Sequence, residues 1–242
     1  RLHDERVRVR SGGSRGAAGT IFGARTRPRD EVTAGRCVDI RRVAWGPVYE
    51  RWELRHEVPG ASEFTLVATF FPDLPQLELT ARVVKTDVRD PEGMYVLFPF
   101  LVDGGVWRLD KPGAPIRPGV DQLPGSCADY YLVQHGAALS GKERGVAWTT
   151  LDAPMVQLGR LRLWEYSTST EPTGPLYSWL TNNKWETNFR ISAGGAYEFR
   201  YLVRVGAELA VFPHPISIFS KPVNRGPVSR ARRRPRAPGR AS

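Results

Sequence analysis

The chain has 242 residues, of which 41% are hydrophobic and 10% aromatic, so it can bury a substantial core in one large domain or two small ones. Its net charge is +10, but residues 1–30 carry +5 and residues 221–242 carry +8, which leaves 31–220 at −3. A nucleic-acid groove built into a fold would place Lys and Arg among strands and aromatic residues, so the charge distribution argues against nucleic acid as a partner. Since no run of about 18 apolar residues occurs, we expect no membrane partner either.

The two ends of the chain differ in composition from its middle. Residues 1–35 are rich in Arg, Gly and Ser and sustain no apolar period, so they cannot offset the entropy of ordering, and we expect them to be poorly ordered. Residues 221–242 are predicted to be a disordered basic tail. The folded domain is therefore expected to span residues 36–220.

The first part of this domain alternates apolar and polar residues with a period of two, which predicts β-strands with one solvated face. The alternation runs through residues 52–58, 64–70 and 77–83. Turn residues such as Pro59 and Gly60 separate these runs. Three consecutive strands at this spacing predict an antiparallel meander.

The second part of the domain begins with the apolar run 94–101, where Pro99 predicts an edge strand or a bulge. Residues 103–129 contain four pairs of Gly or Pro and are predicted to be an ordered loop section. Strand patterns resume at 131–133, 145–150, 155–164 and 197–205. No segment shows a 3.6-residue period with caps at both ends, so the fold is predicted to be mainly β, an antiparallel β-sandwich.

Nucleophile and metal signals are weak in this sequence. The four histidines (His3, His56, His135 and His214) have no ligand spacing, so no metal site is predicted in this chain. Ser126 lacks the glycine that would complete a Gly-x-Ser-x-Gly elbow and is expected to be a turn residue. Cys127 could act as a nucleophile beside His135, but a small buried thiol is the favoured interpretation. Whether Cys37 and Cys127 pair is left open.

Carboxylate pairs are the usual catalysts of glycoside hydrolysis, which needs two of them about 5–9.5 Å apart across a sugar. The candidates near the aromatic-rich section are Asp121, Asp129, Asp152 and Glu165. The sequence cannot pair them, and roles as surface residues or turn formers are favoured.

The densest chemical signal lies in residues 176–190, where three aromatic residues are interleaved with three asparagines. They are Tyr177, Trp179, Asn182, Asn183, Trp185 and Asn188. Sugars present apolar C–H faces that stack on aromatic rings and hydroxyls that bond to amides, so this mixture predicts a substrate-binding surface for carbohydrate. Buried Trp and turn-forming Asn in a sandwich would give the same pattern, and both interpretations stay open.

Five ordered motifs resemble the C-terminal region of bacterial family 38 glycoside hydrolases, the α-mannosidase family. They lie at 121–130, 133–135, 145–148, 151–159 and 180–189, within a resemblance that runs from about 45 to 205. The resemblance implies a galactose-mutarotase-like supersandwich. It also implies an N-terminal barrel that holds a zinc ion, an aspartate nucleophile and an acid/base carboxylate. These features have no counterpart here, so no catalytic residue and no cofactor are assigned to this chain, and zinc is expected in the missing catalytic domain.

The resemblance predicts a C-terminal carbohydrate-binding or structural sandwich of an α-mannosidase-type hydrolase. The expected partners are a mannose-containing carbohydrate and the missing N-terminal catalytic domain of the same enzyme. One alternative is a purely structural packing domain, which predicts a large exposed apolar patch on one face. A less favoured alternative is nucleic-acid binding through the Arg-rich termini.

Overall fold

The computed structural model describes residues 6–11, 30–161, 167–169, 174–183 and 190–209. These residues form fourteen β-strands and one turn of 3-10 helix. The first seven strands are β1 Arg6–Ser11, β2 Asp30–Trp45, β3 Glu50–Glu57, β4 Ala61–Phe70, β5 Gln76–Lys85, β6 Glu92–Phe98 and β7 Val106–Asp110. The others are β8 Pro115–Ile116, β9 Tyr131–Leu132, β10 Gly136–Ser140, β11 Gly145–Thr150, β12 Met155–Leu158, β13 Leu176–Asn182 and β14 Gly195–Gly206, and the 3-10 turn is Ala207–Leu209. In the part of the chain so described, no helix is long and apolar enough to span a membrane.

The strands pair in the order β8-β7-β10-β11-β14-β5-β4-β3-β2-β1-β6-β13-β12-β9. β2 is the strand at which this order passes from one layer to the other, because its residues 30–35 pair with β1 and its residues 36–45 pair with β3. We call the strands from β8 to β3, with residues 36–45 of β2, sheet I. The strands β1, β6, β13, β12 and β9, with residues 30–35 of β2, are sheet II.

The two sheets pack face to face over a shared core. The ring of Phe98 in sheet II lies 5.1 Å from the ring of Tyr201 and 5.5 Å from that of Trp148, both in sheet I, measured between centroids. A buried hydrogen bond of 3.0 Å also joins the hydroxyls of Ser178 and Tyr201 across the layers. The prediction of a mainly β, antiparallel sandwich is therefore confirmed.

The predicted meander corresponds to β3, β4 and β5. Their register places Leu54 opposite Leu66 and Leu66 opposite Ala81, so the apolar set of each strand faces the same side. Period-two alternation thus fixes both the strands and their buried face, because a shift of one residue would turn every apolar side chain outward.

β6 does not lie at the edge of a sheet, where Pro99 had suggested it. It pairs with β1 on one side and with β13 on the other. Pro99 follows the last residue of the strand, Phe98, so its missing N–H removes no ladder hydrogen bond. The bulge belongs to the neighbouring strand, where the register of β13 shifts between Trp179 and Thr181.

The section 103–129, predicted to be loop, also contains β7 and the two-residue β8, and β10 follows in a stretch whose pattern predicted no strand. β7 pairs with β10, and Trp107 lies opposite Leu139. Hydrogen bonds to a strand about thirty residues away thus stabilise β-structure in segments whose own sequence pattern for a strand is weak.

The first 35 residues contain β1 and the beginning of β2, although we expected this segment to be poorly ordered. β1 lies between β2 and β6, and both of its edges take part in ladders. Residues 1–5 and 12–29 and the predicted tail 221–242 lie outside the described residues.

Candidate functional site

Four aromatic side chains gather on the face of sheet II that points away from the sandwich core. The rings of Tyr95 and Trp179 are stacked, with centroids 5.1 Å apart and planes inclined by 25°. Tyr177 meets Tyr95 edge-on at 6.5 Å, and Tyr130 meets Trp179 edge-on at 6.0 Å. We call these four residues the aromatic cluster.

Strand alternation and one glycine position this cluster. In β6, Tyr95 lies between Met94 and Val96, whose side chains belong to the core, so the tyrosine points to the outer face. Gly93 makes room for the stack, because a Cβ there would lie 2.7 Å from Trp179 Nε1 and 2.8 Å from Tyr95 Cε2. Any larger residue at position 93 would push the indole away from β6.

The members of the aromatic cluster differ in what they can offer a ligand. Tyr95 and Trp179 are only 1% and 4% exposed, whereas Tyr130 and Tyr177 are half-buried. A bound molecule would therefore contact Tyr130 and Tyr177. The buried rings of Trp179 and Tyr95 would support these two tyrosines from beneath.

Tyr130 also has an altered acidity. Burial raises the pKa of its phenol, and the neighbouring Cys127 and Asp129 raise it further. The hydroxyl thus stays protonated and can donate as well as accept a hydrogen bond. Asp129 is itself buried and accepts a hydrogen bond of 3.0 Å from the backbone N–H of Ser167.

Asn183 anchors the chain just after β13. It is 4% exposed, and its Nδ2 donates to the carbonyls of Val88, Asp90 and Ile191 at 2.8, 3.0 and 3.3 Å. Its Oδ1 accepts from the backbone N–H of Glu92 at 2.8 Å. The side-chain amide of Asn183 therefore bonds to backbone groups, and it links residues 88–92 and Ile191 to the end of β13.

The structure brings together part of the predicted sugar surface. Tyr177 and Trp179 belong to the aromatic cluster, and Asn182 and Asn183 follow at the end of the same strand. Trp185 and Asn188 lie outside the described residues.

Two members of the aromatic cluster were not predicted. Tyr95 is remote in sequence, and only the pairing of β6 with β13, which sets it opposite Trp179, reveals its role. Tyr130 ends the first of the motifs that carry the family resemblance, so that motif was a signal available in the sequence.

The described acidic candidates for catalysis have structural partners. Asp121 accepts hydrogen bonds from the guanidinium and backbone N–H of Arg117, which lower the pKa of its carboxyl to about 2. Asp152 accepts from the side chain and backbone of Arg200, and the side-chain bond lowers its pKa. Both are surface ion pairs in which the carboxylate stays charged near neutral pH.

The remaining candidate residues are Glu165, His135, Cys37 and Cys127. Glu165 lies outside the described residues. Nδ1 of His135 lies 2.7 Å from Oδ2 of the buried Asp110, so this nitrogen is engaged by a carboxylate. Cys37 and Cys127 form no disulfide with each other.

Metal binding finds no support in the donors that are described. Among residues 30–161, 167–169, 174–183 and 190–209, no three His, Cys, Asp or Glu side chains converge to hold a metal ion. These residues do not fit the zinc ion that the family resemblance implies.

Comparison with known proteins gives a similarity of structure without one of sequence. No family model and no curated protein matches the chain. An α-mannosidase from Enterococcus faecalis V583 has a TM-score of 0.58 at 14% identity, over 89% of this chain and 26% of its own. A glycosyl hydrolase family 38 protein from Enterococcus faecalis has a TM-score of 0.57 at 13% identity, over 89% and 27%. This similarity shows the fold.

The β-sandwich described here thus resembles a part of these larger structures, since the chain spans about a quarter of their length. A putative aldose 1-epimerase from Escherichia coli K12 has a TM-score of only 0.39 at 11% identity, over 72% of this chain and 69% of its own.

A second notable surface is an apolar cleft of about 580 Å³ between the sheets, lined almost wholly by apolar side chains. Its walls include Ile40, Leu54, Leu66, Phe70, Leu74 and Val205. Ile40, Phe70 and Val205 are exposed although they lie on the inner face of sheet I. Sheet II therefore leaves the part of this face over β2, β3 and β4 uncovered. The cleft is separate from the aromatic cluster, which lies on the outer face of sheet II.

Proposed function

We propose that this chain is the β-sandwich part of an α-mannosidase-type glycoside hydrolase, and that its aromatic cluster contacts mannose-containing carbohydrate. The observation that carries the proposal is the fold similarity to an α-mannosidase across 89% of the chain. Hydrolysis is assigned to a zinc-dependent catalytic domain that the described residues do not provide. The proposed role of this chain is to bind and orient substrate at the rim of that domain.

In this proposal the half-buried rings of Tyr130 and Tyr177 stack on a sugar face while their hydroxyls bond to sugar hydroxyls. Asn182, half-buried at the end of β13, supplies an amide donor and acceptor. Trp179 and Asn183 hold these residues in place from below. The sequence pattern adds Trp185 and Asn188 to the residues proposed to bind the sugar.

Isothermal titration of the full chain with mannose and with an α-linked mannobiose tests this proposal. We expect millimolar binding that Tyr177→Ala weakens about tenfold, since a stacked aromatic ring contributes on the order of 1 kcal/mol or more. Tyr49→Ala, which removes a half-buried tyrosine from the connection between β2 and β3, is the matched control and should bind as the native chain does. A folded chain that binds neither sugar at tens of millimolar contradicts a sugar site.

The alternative of a purely structural packing domain is supported by a specific observation, the exposed apolar cleft on sheet I. Exposed apolar surface of this kind marks contact with another protein surface. This alternative predicts that the chain binds no mannoside alone, yet associates with the catalytic domain of an α-mannosidase supplied in trans. Val205→Glu, which places a charge in the cleft, should abolish that association, and Tyr177→Ala should leave it unchanged.

A further inference from the structure

The connection between β12 and β13, residues 159–175, contacts the aromatic cluster near its beginning. The backbone N–H of Gly159 donates to the carbonyl of Pro175 at 2.9 Å and closes the base of this connection. Leu161, which is half-buried, packs against the buried rings of the aromatic cluster. The connection therefore borders the surface on which the proposed sugar site lies.

The same connection is bonded, at Ser167, to the segment that carries Tyr130. The backbone N–H of Ala128 donates to the carbonyl of Ser167 at 2.6 Å. In the opposite direction, the backbone N–H of Ser167 donates to Oδ1 of Asp129 at 3.0 Å. We call these two hydrogen bonds the Asp129 clamp. Because they run in opposite directions between the same two segments, they fix the orientation of one segment as well as its distance from the other.

The carboxylate of the Asp129 clamp is buried. Asp129 is 4% exposed, and the preceding Ala128 is 2% exposed. A carboxylate is tolerated in a protein interior only where it is hydrogen-bonded, and its bond with a backbone N–H is roughly twice as strong as one between neutral groups. Opening the clamp would remove a donor from the carboxylate in a place that little water reaches. We therefore expect the two segments to stay together in the folded chain.

Ser167 lies in a compact turn on the other side of the clamp. Its Oγ donates to the carbonyl of Ser169 at 2.9 Å and accepts from the backbone N–H of Ser169 at 3.2 Å. The hydroxyl of Ser167 is thus used within the turn, whereas its backbone N–H and carbonyl are used by the clamp. The side chain therefore stabilises the turn that presents this backbone to Asp129.

Tyr130 lies between the Asp129 clamp and the first residue of β9. That residue, Tyr131, lies opposite Val156 of β12, and its hydroxyl donates to Oε1 of Gln122 at 3.0 Å. β9 has only two residues and lies at the edge of sheet II, so its ladder alone restrains the preceding chain weakly. The clamp supplies a second attachment on the other side of Tyr130, whose ring meets that of Trp179 edge-on at 6.0 Å.

We propose that Asp129 is a positioning residue of the sugar site, which holds Tyr130 in edge contact with Trp179 through the clamp. Asp129 is buried and touches no sugar itself, so it acts through the half-buried ring of Tyr130. This inference deepens the proposed function, and its bearing on sugar rests on that function. The position of Tyr130 can be measured without any ligand.

Nuclear magnetic resonance of the full chain with isotope-labelled tyrosine rings tests the proposal in the absence of sugar. The indole of Trp179 shifts the ring signals of Tyr130, and Tyr130→Phe identifies those signals. Asp129→Ala should move them most of the way to their positions in the unfolded chain. Asp129→Asn keeps an oxygen that can accept from the N–H of Ser167, so it should leave the signals close to their native positions. Asp121→Ala, which removes an exposed carboxylate from the same loop section, is the matched control and should move none of them.

Titration with the α-linked mannobiose then measures the effect on binding. Asp129→Ala should weaken binding about tenfold, whereas Asp129→Asn and Asp121→Ala should stay within about twofold of the native chain. An Asp129→Ala chain that folds and keeps the native signals of Tyr130 overturns the proposal, and so does an Asp129→Asn chain that behaves as Asp129→Ala does. A native chain that binds no sugar contradicts the proposed function, while the tyrosine signals still decide the role of Asp129.

Hydrogen exchange at the amide of Ser167 provides a second measurement, on the native chain, in case Asp129→Ala does not fold. The clamp predicts that this amide exchanges at least about tenfold more slowly than an unprotected amide. Exchange at the unprotected rate would overturn the proposal without any variant.

Discussion

Lys85 at the end of β5 and Glu92 at the start of β6 form an ion pair in which each side chain is only 1% exposed. Lys85 Nζ also donates to the carbonyl of Thr86 at 3.2 Å, and the backbone N–H of Glu92 donates to the side chain of Asn183. The pair therefore closes the connection between two strands that belong to different sheets. The side chain of Asn183 stabilises the same connection by hydrogen bonds to the backbone of Val88, Asp90 and Glu92.

Replacing one partner of this ion pair should be strongly destabilising. Glu92→Leu leaves the Lys85 ammonium buried without its counter-charge, and the expected loss is about 3–5 kcal/mol of unfolding free energy. Lys85→Met combined with Glu92→Leu should recover most of that loss, because an apolar pair of similar volume needs no desolvation of charge. Urea denaturation of the three proteins measures this. A double variant as unstable as Glu92→Leu would contradict the explanation.

Asn183→Ala should also destabilise the sandwich. It removes the donors to three carbonyls and one acceptor, and at about 0.5–1.5 kcal/mol for each of these four bonds the expected cost is on the order of 2–6 kcal/mol. Asn182→Ala, at the adjacent half-buried position, is the control and should cost much less. Thermal and urea unfolding compare the two. Equal losses would mean that the backbone contacts of Asn183 do not stabilise the fold.

The hydrogen bond between the Ser178 and Tyr201 hydroxyls should contribute to the packing of sheet II on sheet I. Burial raises the pKa of the Tyr201 phenol, so it remains an uncharged donor or acceptor throughout the stable pH range. Tyr201→Phe should cost about 1–2 kcal/mol by leaving the serine without its partner. In a double-mutant cycle Ser178→Ala should then add little, and full additivity of the two losses would show that the hydroxyls do not interact.

Substitution at position 136 should be poorly tolerated. An added Cβ on Gly136 would overlap the carbonyl oxygen of Trp148 in the facing strand β11, and neither backbone can move without breaking the ladder. Gly136→Ala is therefore expected to lower stability by about 2 kcal/mol or more. Gly46→Ala, where a Cβ meets no atom within 4 Å, is the control. Comparable midpoints for the two variants in chemical denaturation would refute the steric explanation.

The Asp152–Arg200 ion pair should give stability a measurable acid dependence. The side-chain hydrogen bond from Arg200 lowers the pKa of Asp152 in the folded state, so folding favours the charged carboxylate. This contribution is present above the unfolded pKa of about 3.9 and is lost as the pH falls through the lower folded value. Asp152→Asn should therefore lower the unfolding midpoint slightly at neutral pH, since exposed pairs contribute little. The difference from the native chain should shrink below about pH 4.

The parts of the fold that could be predicted are those where local alternation coincides with a buried face. β11 spans the six residues of the predicted strand 145–150, and β3 to β5 follow the predicted meander. β10 could not be predicted in this way, because Gly136–Ser140 has neither β-branched nor aromatic residues. It is a strand because β7 and β11 supply hydrogen-bonding partners on both sides.

The candidate site was predictable only in part, for a related reason. Spacing along β13 brings Tyr177 and Trp179 to one face, which the sequence pattern could indicate. That Tyr95 stacks on Trp179 depends on the pairing of β6 with β13, and a single sequence does not reveal such long-range pairings. The backbone contacts of Asn183 were equally hidden, because its partners lie in two other segments of the chain.

The pairing of β5 with β14 has a consequence for how the protein is made. Ten residue pairs join Gln76–Lys85 to Gly195–Gly206, strands separated by more than half of the described sequence. During synthesis on the ribosome β5 emerges long before β14. One edge of β5 therefore lacks its hydrogen-bonding partner while most of the chain is still being translated. Folding dominated by such distant contacts is slow. Chaperone capture of the nascent chain is therefore expected to persist until residue 206 has left the exit tunnel.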